Sequence, residues 1–224
     1  AIDNRSITGL PWQPDMVTIK RFGATAGAWR PSSQTGDNTS FFAATTQAAN
    51  VIQALLSNGF EIGTNGAVNS TSSIHHWFAF KNGANFAEGS YSGSGSEQNI
   101  TSAGFRAENV WVKRSINVAG VMSSVSVSSG NSQYFTATNH IANRITGFYK
   151  NGFTVGGNFT ETNTTGGTYY YAAWNDPNYS VFNVDIVNAS GQTVATPSYN
   201  LNTSAFNFEC SSVGGTFGTN TQRV

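Results

Sequence analysis

Slid along itself by 93 positions, the chain aligns Ile7–Lys81 with Ile100–Trp174 without a gap, and 22 of the 75 pairs are identical. A duplication of this kind constrains the fold more than any short motif, because each copy reads as one supersecondary unit that buries its apolar face against a neighbour. Ile7-Thr8 meets Ile100-Thr101, Lys20-Arg21 meets Lys113-Arg114, Ala44-Thr45 meets Ala137-Thr138, and Asn58-Gly59-Phe60 meets Asn151-Gly152-Phe153. Trp12/Phe105, Ile19/Val112, Phe41/Tyr134, Trp77/Tyr170 and Phe78/Tyr171 are conservative pairs in the same alignment.

The copies also arbitrate secondary structure. Ala48-Ala49, Val51-Ile52 and Leu55-Leu56 have helical spacing, yet their counterpart Asn143–Tyr149 is β-branched, aromatic and interrupted by glycine, which suits a strand. Both stretches run into Asn-Gly between apolar residues, the signal of a type I′ hairpin turn centred on those two residues. Hairpins are therefore expected over Val51–Ser57 with Phe60–Gly63 and over Arg144–Lys150 with Phe153–Gly156. Further strands are expected near Met16–Phe22, Gly27–Arg30, Ser40–Thr45 and His75–Phe80, and near Asn109–Ser115, Val121–Val127, Gln133–Thr138 and Tyr169–Trp174. Alternation puts Val17 with Ile19, and Val110 with Val112, in the core.

The fold class expected is all-β, an antiparallel β-sandwich of jelly-roll type built from two gap-free repeats and a C-terminal β extension. Its boundaries are residues 1–84, 85–175 and 176–224. The segment Asn85–Gln98 has the composition of a flexible linker, but Phe86 and Tyr91 argue that it is extended and partly packed. Nothing equivalent precedes the first copy, so that unit is expected to lack one strand. Tyr179–Val187 alternates and Asn188–Gly191 reads as a turn into Gln192–Thr196, so the extension is expected to close the first unit's sheet, in its own chain or a neighbour's.

Composition supports this fold. Ser, Thr and Asn number 26, 25 and 25, a third of the 224 residues, and aromatics make up 13%. Strands of β-branched and aromatic residues joined by Gly and Asn turns have this mixture. The 11 basic and 11 acidic side chains cancel, which argues against nucleic acid as a partner. The chain reads as lacking both a secretory leader and a run of apolar residues able to cross a bilayer, so no membrane insertion is expected. Cys210 is the single cysteine and forms no bridge within the chain. Only four lysines guard sheet edges, at 20, 81, 113 and 150, which favours a homo-oligomer.

Catalytic chemistry finds little support. His75 and His76 point to opposite faces if they lie on a strand, so they do not chelate one metal, and His140 stands apart. No nucleophile elbow, zinc-protease motif or Walker loop occurs. Asp15 and Glu108 are repeat-related carboxylates, but each just precedes a strand and reads as a turn residue. No enzyme activity, cofactor or metal is expected. Glycan binding needs an aromatic platform with nearby amides and hydroxyls, and Trp29, Trp111, Tyr169 and Trp174 are the candidates for contact with a glycan or partner. For any single ring, burial in the core is the more frequent fate.

The runs Gly89–Ser96, Ile100–Arg114, Asn151–Gly156 and Tyr169–Trp174 together resemble a repeat of structural proteins in tailed bacteriophages, patterned G-F-x-P-D-x-V-W-I-K-R, then D-G-F-x-L-G, then an aromatic strand. The first copy matches through Trp12–Asp15, Val17, Ile19–Arg21, Asn58–Gly63 and Trp77–Phe80. The resemblance covers Ser6–Trp174 and implies a non-enzymatic virion component, made in the host cytoplasm and exposed on the particle as a capsid decoration or a tail or fibre part. It implies other virion proteins as partners and a host-surface glycan as a further contact. A free carbohydrate-binding, lectin-like module is the alternative, and a β-sandwich glycosidase is a third.

Overall fold

The computed structural model describes residues 1–127 and 130–175 throughout and, beyond them, the backbone of four short strands. Contacts divide the chain into a body, Ala1–Asp176, and a second unit, Pro177–Val224. The protein is all-β, and the described residues of the body form four antiparallel sheets with a single turn of helix.

The first half of the body runs β1 (Arg5–Thr8), β2 (Met16–Arg21), β3 (Ala28–Pro31), β4 (Ser40–Phe41), β5 (Ile52–Leu56), β6 (Gly59–Ile62), α1 (Gly66–Asn69) and β7 (His75–Phe80). Asn65 caps α1, its side-chain oxygen accepting the Ala67 N–H at 2.9 Å. The second half runs β8 (Phe86–Ser92), β9 (Gln98–Ile100), β10 (Asn109–Arg114), β11 (Val121–Ser124), β12 (Asn131–Tyr134), β13 (Ile141–Ala142), β14 (Ile145–Tyr149), β15 (Gly152–Val155) and β16 (Thr168–Trp174). Two small sheets, β1-β6-β5 and β9-β15-β14, accompany two larger ones, β4-β3-β2-β7 and β13-β12-β11-β10-β16-β8.

Three apolar clusters stack these sheets in layers. Val17 and Ile19 of β2 pack with Ile52, Phe60 and Ile62 of the small sheet beside them, and Val110 and Val112 of β10 pack with Ile145, Phe153 and Val155 of theirs, as the alternation predicts. On the opposite faces Met16, Trp29 and Phe42 of the first half meet Phe86, Tyr170 and Ala172 of the second. The two larger sheets are thus apolar on both faces. A sheet covered on both sides reads as a continuous apolar run, and this is why Tyr169, Tyr170, Tyr171, Ala172 and Ala173 are buried in succession.

The pairing corrects two details of the sequence reading. Leu56 lies opposite Gly59 and Tyr149 opposite Gly152, so the hairpin turns are centred on Ser57-Asn58 and Lys150-Asn151, one residue before Asn-Gly. At Gly59 a Cβ would meet the Ile7 carbonyl oxygen, and at Gly152 that of Ile100, so these glycines admit the neighbouring strand.

The second correction is one of register. Lys20 is opposite His76 and Lys113 opposite Tyr170, so Trp77 corresponds in place to Tyr171 and Phe80 to Trp174, not Trp77 to Tyr170. The added residue falls before Asn69 and Asn163, whose amides donate to the Gly63 and Gly156 carbonyls at 2.8 and 2.6 Å. A one-residue slip exchanges the two faces of a strand, which is why the gap-free alignment assigns the β7 side chains to the wrong sides.

In the second unit, β17 (Ser180–Asn183) pairs with β20 (Ser198–Leu201) and β18 (Ile186–Val187) with β19 (Thr193–Ala195), all antiparallel. The expected turn Asn188–Gly191 and Cys210 lie outside the described residues.

Candidate functional site

The four candidate contact rings do not share a surface. Trp29 and Tyr169 are both 0% exposed, so neither can stack on a ligand, a correction to the expectation that they form a platform. Trp29 stacks on Phe42 with ring centroids 5.7 Å apart. Tyr169 stacks on Tyr91 at 5.1 Å, and its hydroxyl donates to the Thr160 carbonyl at 3.1 Å and accepts the Thr164 N–H at 2.8 Å. Both rings are drawn inward because their sheets are covered on both faces. Trp111 and Trp174 are half-buried and meet each other at 4.6 Å, at the margin of the cluster between the two larger sheets.

The exposed aromatic surface lies instead on β7. Trp77 is 40% and Phe78 61% exposed, on opposite faces of the strand, and Phe22 and Ile74, joined by a backbone bond from the Phe22 N–H to the Ile74 carbonyl at 2.9 Å, are exposed as well. The strand is the outer member of its sheet, and among the described residues no strand pairs with its outer edge. Bonding residues alternate along an antiparallel ladder. Ile74, His76 and Phe78 therefore turn their backbone groups to β2, while His75, Trp77 and Ala79 turn theirs outward.

The second half has the same geometry with the edge occupied. β16 pairs with β10 as β7 pairs with β2, and β8 lies along its other side, with Tyr169 opposite Tyr91, Tyr171 opposite Gly89 and Ala173 opposite Ala87. Tyr171 is 0% exposed there and meets Phe153 edge-on at 5.3 Å; Trp77 meets Phe60 edge-on at the same 5.3 Å.

Beside the open edge is a pocket of about 280 Å³ walled by Arg5, Ile19, Phe60, Asn69, His75 and Trp77, among others. In the second half the corresponding space holds the Tyr91 ring, which stacks on Tyr169, meets Phe153 edge-on at 6.4 Å and donates its hydroxyl proton to the Thr162 carbonyl at 2.7 Å. The pocket is the place of a large side chain brought by a strand. Sequence reasoning paired Trp77 with Tyr170 and Phe78 with Tyr171 and named neither as a contact residue. The available signal was the β7 sequence His-His-Trp-Phe-Ala-Phe, apolar on both faces at a sheet margin.

The charged groups are structural in placement. Lys113 is fully buried and donates from Nζ to the carbonyls of Arg114 and Ile116 at 2.8 and 2.7 Å; burial lowers its ammonium from 10.5 to about 8. Glu161 accepts from Arg144 Nε at 3.1 Å and from the Tyr134 hydroxyl at 2.7 Å. Burial pushes its carboxyl up, but these hydrogen bonds outweigh that and hold it below the ordinary value. Asp15 accepts the Asn82 N–H at 2.7 Å, and Glu108 faces Arg106 at 3.7 Å. Among the described residues no group of His, Cys, Asp and Glu is placed to hold a metal ion, and no helix is long and apolar enough to cross a membrane.

A family model described as a domain of unknown function matches residues 81–221. No curated protein and no solved structure matches the chain.

Proposed function

Since the chain belongs to the family DUF7483, described as a domain of unknown function, we propose from its own residues that it is a non-enzymatic structural protein of a bacteriophage virion. In this reading it is exposed on the particle as a capsid decoration or a tail or fibre component, holds to neighbouring virion subunits, and contacts host glycans. The observation that carries the proposal is the twice-occurring motif, Val-x-Ile-Lys-Arg at Val17–Arg21 and Val-Trp-Val-Lys-Arg at Val110–Arg114, each followed by Asn-Gly-Phe and an aromatic strand, which resembles the phage repeat.

The finer architecture belongs to the same reading: two tandem copies joined as one pseudo-twofold, jelly-roll-like body. What supports it is that corresponding residues touch each other, as equivalent residues do at a twofold axis. Phe42 meets its counterpart Phe135 at 4.3 Å, and Phe80 meets Trp174 at 5.4 Å. The hydrogen bonds agree as well. Lys20 Nζ donates to the carbonyls of Arg21 and Gly23 as Lys113 Nζ does to those of Arg114 and Ile116. A neutral surface rich in Ser, Thr and Asn suits a protein that packs among other subunits. Trp111 and Trp174 remain as the half-exposed rings for a glycan.

Mass spectrometry of purified particles from the source phage tests the assignment. Finding the chain in stoichiometric amounts supports it, and its absence from intact particles overturns it.

A further inference from the structure

We infer that the pocket between β7, the small sheet and α1 is a binding site for a para-substituted phenol ring, carried by a free small molecule or by a tyrosine of a peptide. The site lies within the body and stands whether or not the protein belongs to a particle.

The second half shows what a pocket of this build accepts. Tyr91 makes three contacts there: its ring stacks on Tyr169 at 5.1 Å and meets Phe153 edge-on at 6.4 Å, and its hydroxyl donates to the Thr162 carbonyl at 2.7 Å. Each of these three partners has a counterpart in the wall of the first-half pocket.

His75 takes the place of Tyr169, because it lies opposite Arg21 as Tyr169 lies opposite Arg114. Phe60 takes the place of Phe153, opposite Ile7 as Phe153 is opposite Ile100. Val68 takes the place of Thr162. The Val68 and Asn69 N–H groups both donate to the Asn65 carbonyl, at 3.1 and 2.9 Å, as those of Thr162 and Asn163 both donate to the Phe159 carbonyl, at 3.1 and 2.7 Å. His75, Phe60 and Val68 all line the pocket, yet the described residues of the first half bring no ring between them as β8 brings Tyr91.

A phenol in that place has a flat imidazole to stack on, the Phe60 ring to meet edge-on, and the Val68 carbonyl to receive its hydroxyl proton. The lining has the same division as the ligand, apolar at Phe60 and Val68 and polar at Asn69, Ser70 and His75. The volume of about 280 Å³ lies at the lower end of ligand pockets and suits one ring rather than a larger molecule.

Titration of the full-length chain with p-cresol, followed by ligand-observed NMR and calorimetry, tests the site. Saturable uptake of one molecule per chain is expected, with a Kd of about 1 mM or tighter. 4-Methylanisole keeps the ring but has no hydroxyl proton to donate, and should bind at least about threefold more weakly. Ser70→Phe places a ring in the pocket from its own wall and should abolish uptake; should that variant fail to fold by circular dichroism, Ser73→Phe fills the pocket from another wall residue. A capped peptide with the sequence of Ala87–Gly93, Ala-Glu-Gly-Ser-Tyr-Ser-Gly, separates the two sources. Binding at least about tenfold tighter than p-cresol marks a tyrosine held in an extended chain, and weaker or equal binding marks a free phenol. A full-length chain that takes up neither p-cresol nor the peptide overturns the inference, as does equal binding of 4-methylanisole or uptake that survives in a folded pocket-filling variant.

Discussion

The Thr39 hydroxyl serves both backbone groups of Ile52, accepting its N–H and donating to its carbonyl, each at 2.9 Å. Ser132 accepts the Ile145 N–H at 3.0 Å in the same place in the second half. All four residues are buried. These bonds tie β5 and β14 to the strands beneath them where no ladder reaches. Thr39→Val keeps the shape and leaves the Ile52 N–H without a partner. It should lower stability by about 1–3 kcal/mol, the desolvation cost of a buried donor, and Ser132→Ala should cost about 1 kcal/mol or more on the same ground. Urea unfolding followed by tryptophan fluorescence measures both, and unchanged midpoints would contradict the role.

Gly59→Ala and Gly152→Ala each drive a Cβ into a backbone carbonyl oxygen, that of Ile7 or Ile100, which cannot swing aside as a side chain can. Each should destabilise by about 2 kcal/mol or more, in the range of overpacked cores. Hydrogen exchange should show the loss first in β1 for Gly59→Ala and in β9 for Gly152→Ala. Equal protection in native and variant chains would mean that these strands are not held by the close approach.

Stability should rise with pH between about 8 and 10. The folded Lys113 ammonium titrates near 8, below its ordinary 10.5, so in that window the unfolded chain binds a proton that the folded chain has released. Below the window both states are protonated and the cost of burying the charge is fully present. Above 10 the trend reverses, because burial holds the Tyr91 and Tyr171 phenols above their ordinary value and only the unfolded chain ionises them. Thermal melts across this range should climb for the native chain and stay flat for Lys113→Met; a native chain with no climb refutes the burial argument.

Glu161 acts at the other end of the scale. Its carboxyl is held below the ordinary value, so its contribution is present above the unfolded pKa and is lost as pH falls through the folded one. Glu161→Gln should cost about 1–2 kcal/mol at pH 7, less than a fully buried pair because both partners keep some exposure. The cost should vanish in acid. Paired urea titrations at the two pH values settle it.

Much of the fold is legible in the sequence, and the places where it fails have physical causes. Period-two alternation identifies Val17, Ile19, Val110 and Val112 as core because strand geometry alone decides that. The second copy correctly turns the helix-like run before Leu56 into a strand. Within Asn85–Gln98 the part that carries the aromatics, Phe86–Ser92, is a strand, with Phe86 buried and Tyr91 packed against the core, and residues 93–97 are not. The turn position fails by one residue because the Asn-Gly signal marks the glycine that a neighbouring carbonyl demands, not the turn centre. β1 and β9 are invisible because three or four polar-flanked residues carry no periodicity of their own. The platform of Trp29 and Tyr169 fails for a different reason: alternation says which side chains share a face but not that both faces are covered. The β7 edge is legible only by difference, as the place where one half has a strand and the other, among the described residues, has none.

The layering has a consequence for how such a protein can be divided. Met16, Trp29 and Phe42 on one side and Phe86, Tyr170 and Ala172 on the other bury each other, with Phe80, Trp111, Phe135 and Trp174 packed around them. Expressed alone, either half would lay bare an aromatic sheet face, so the two halves of the body are not separable modules.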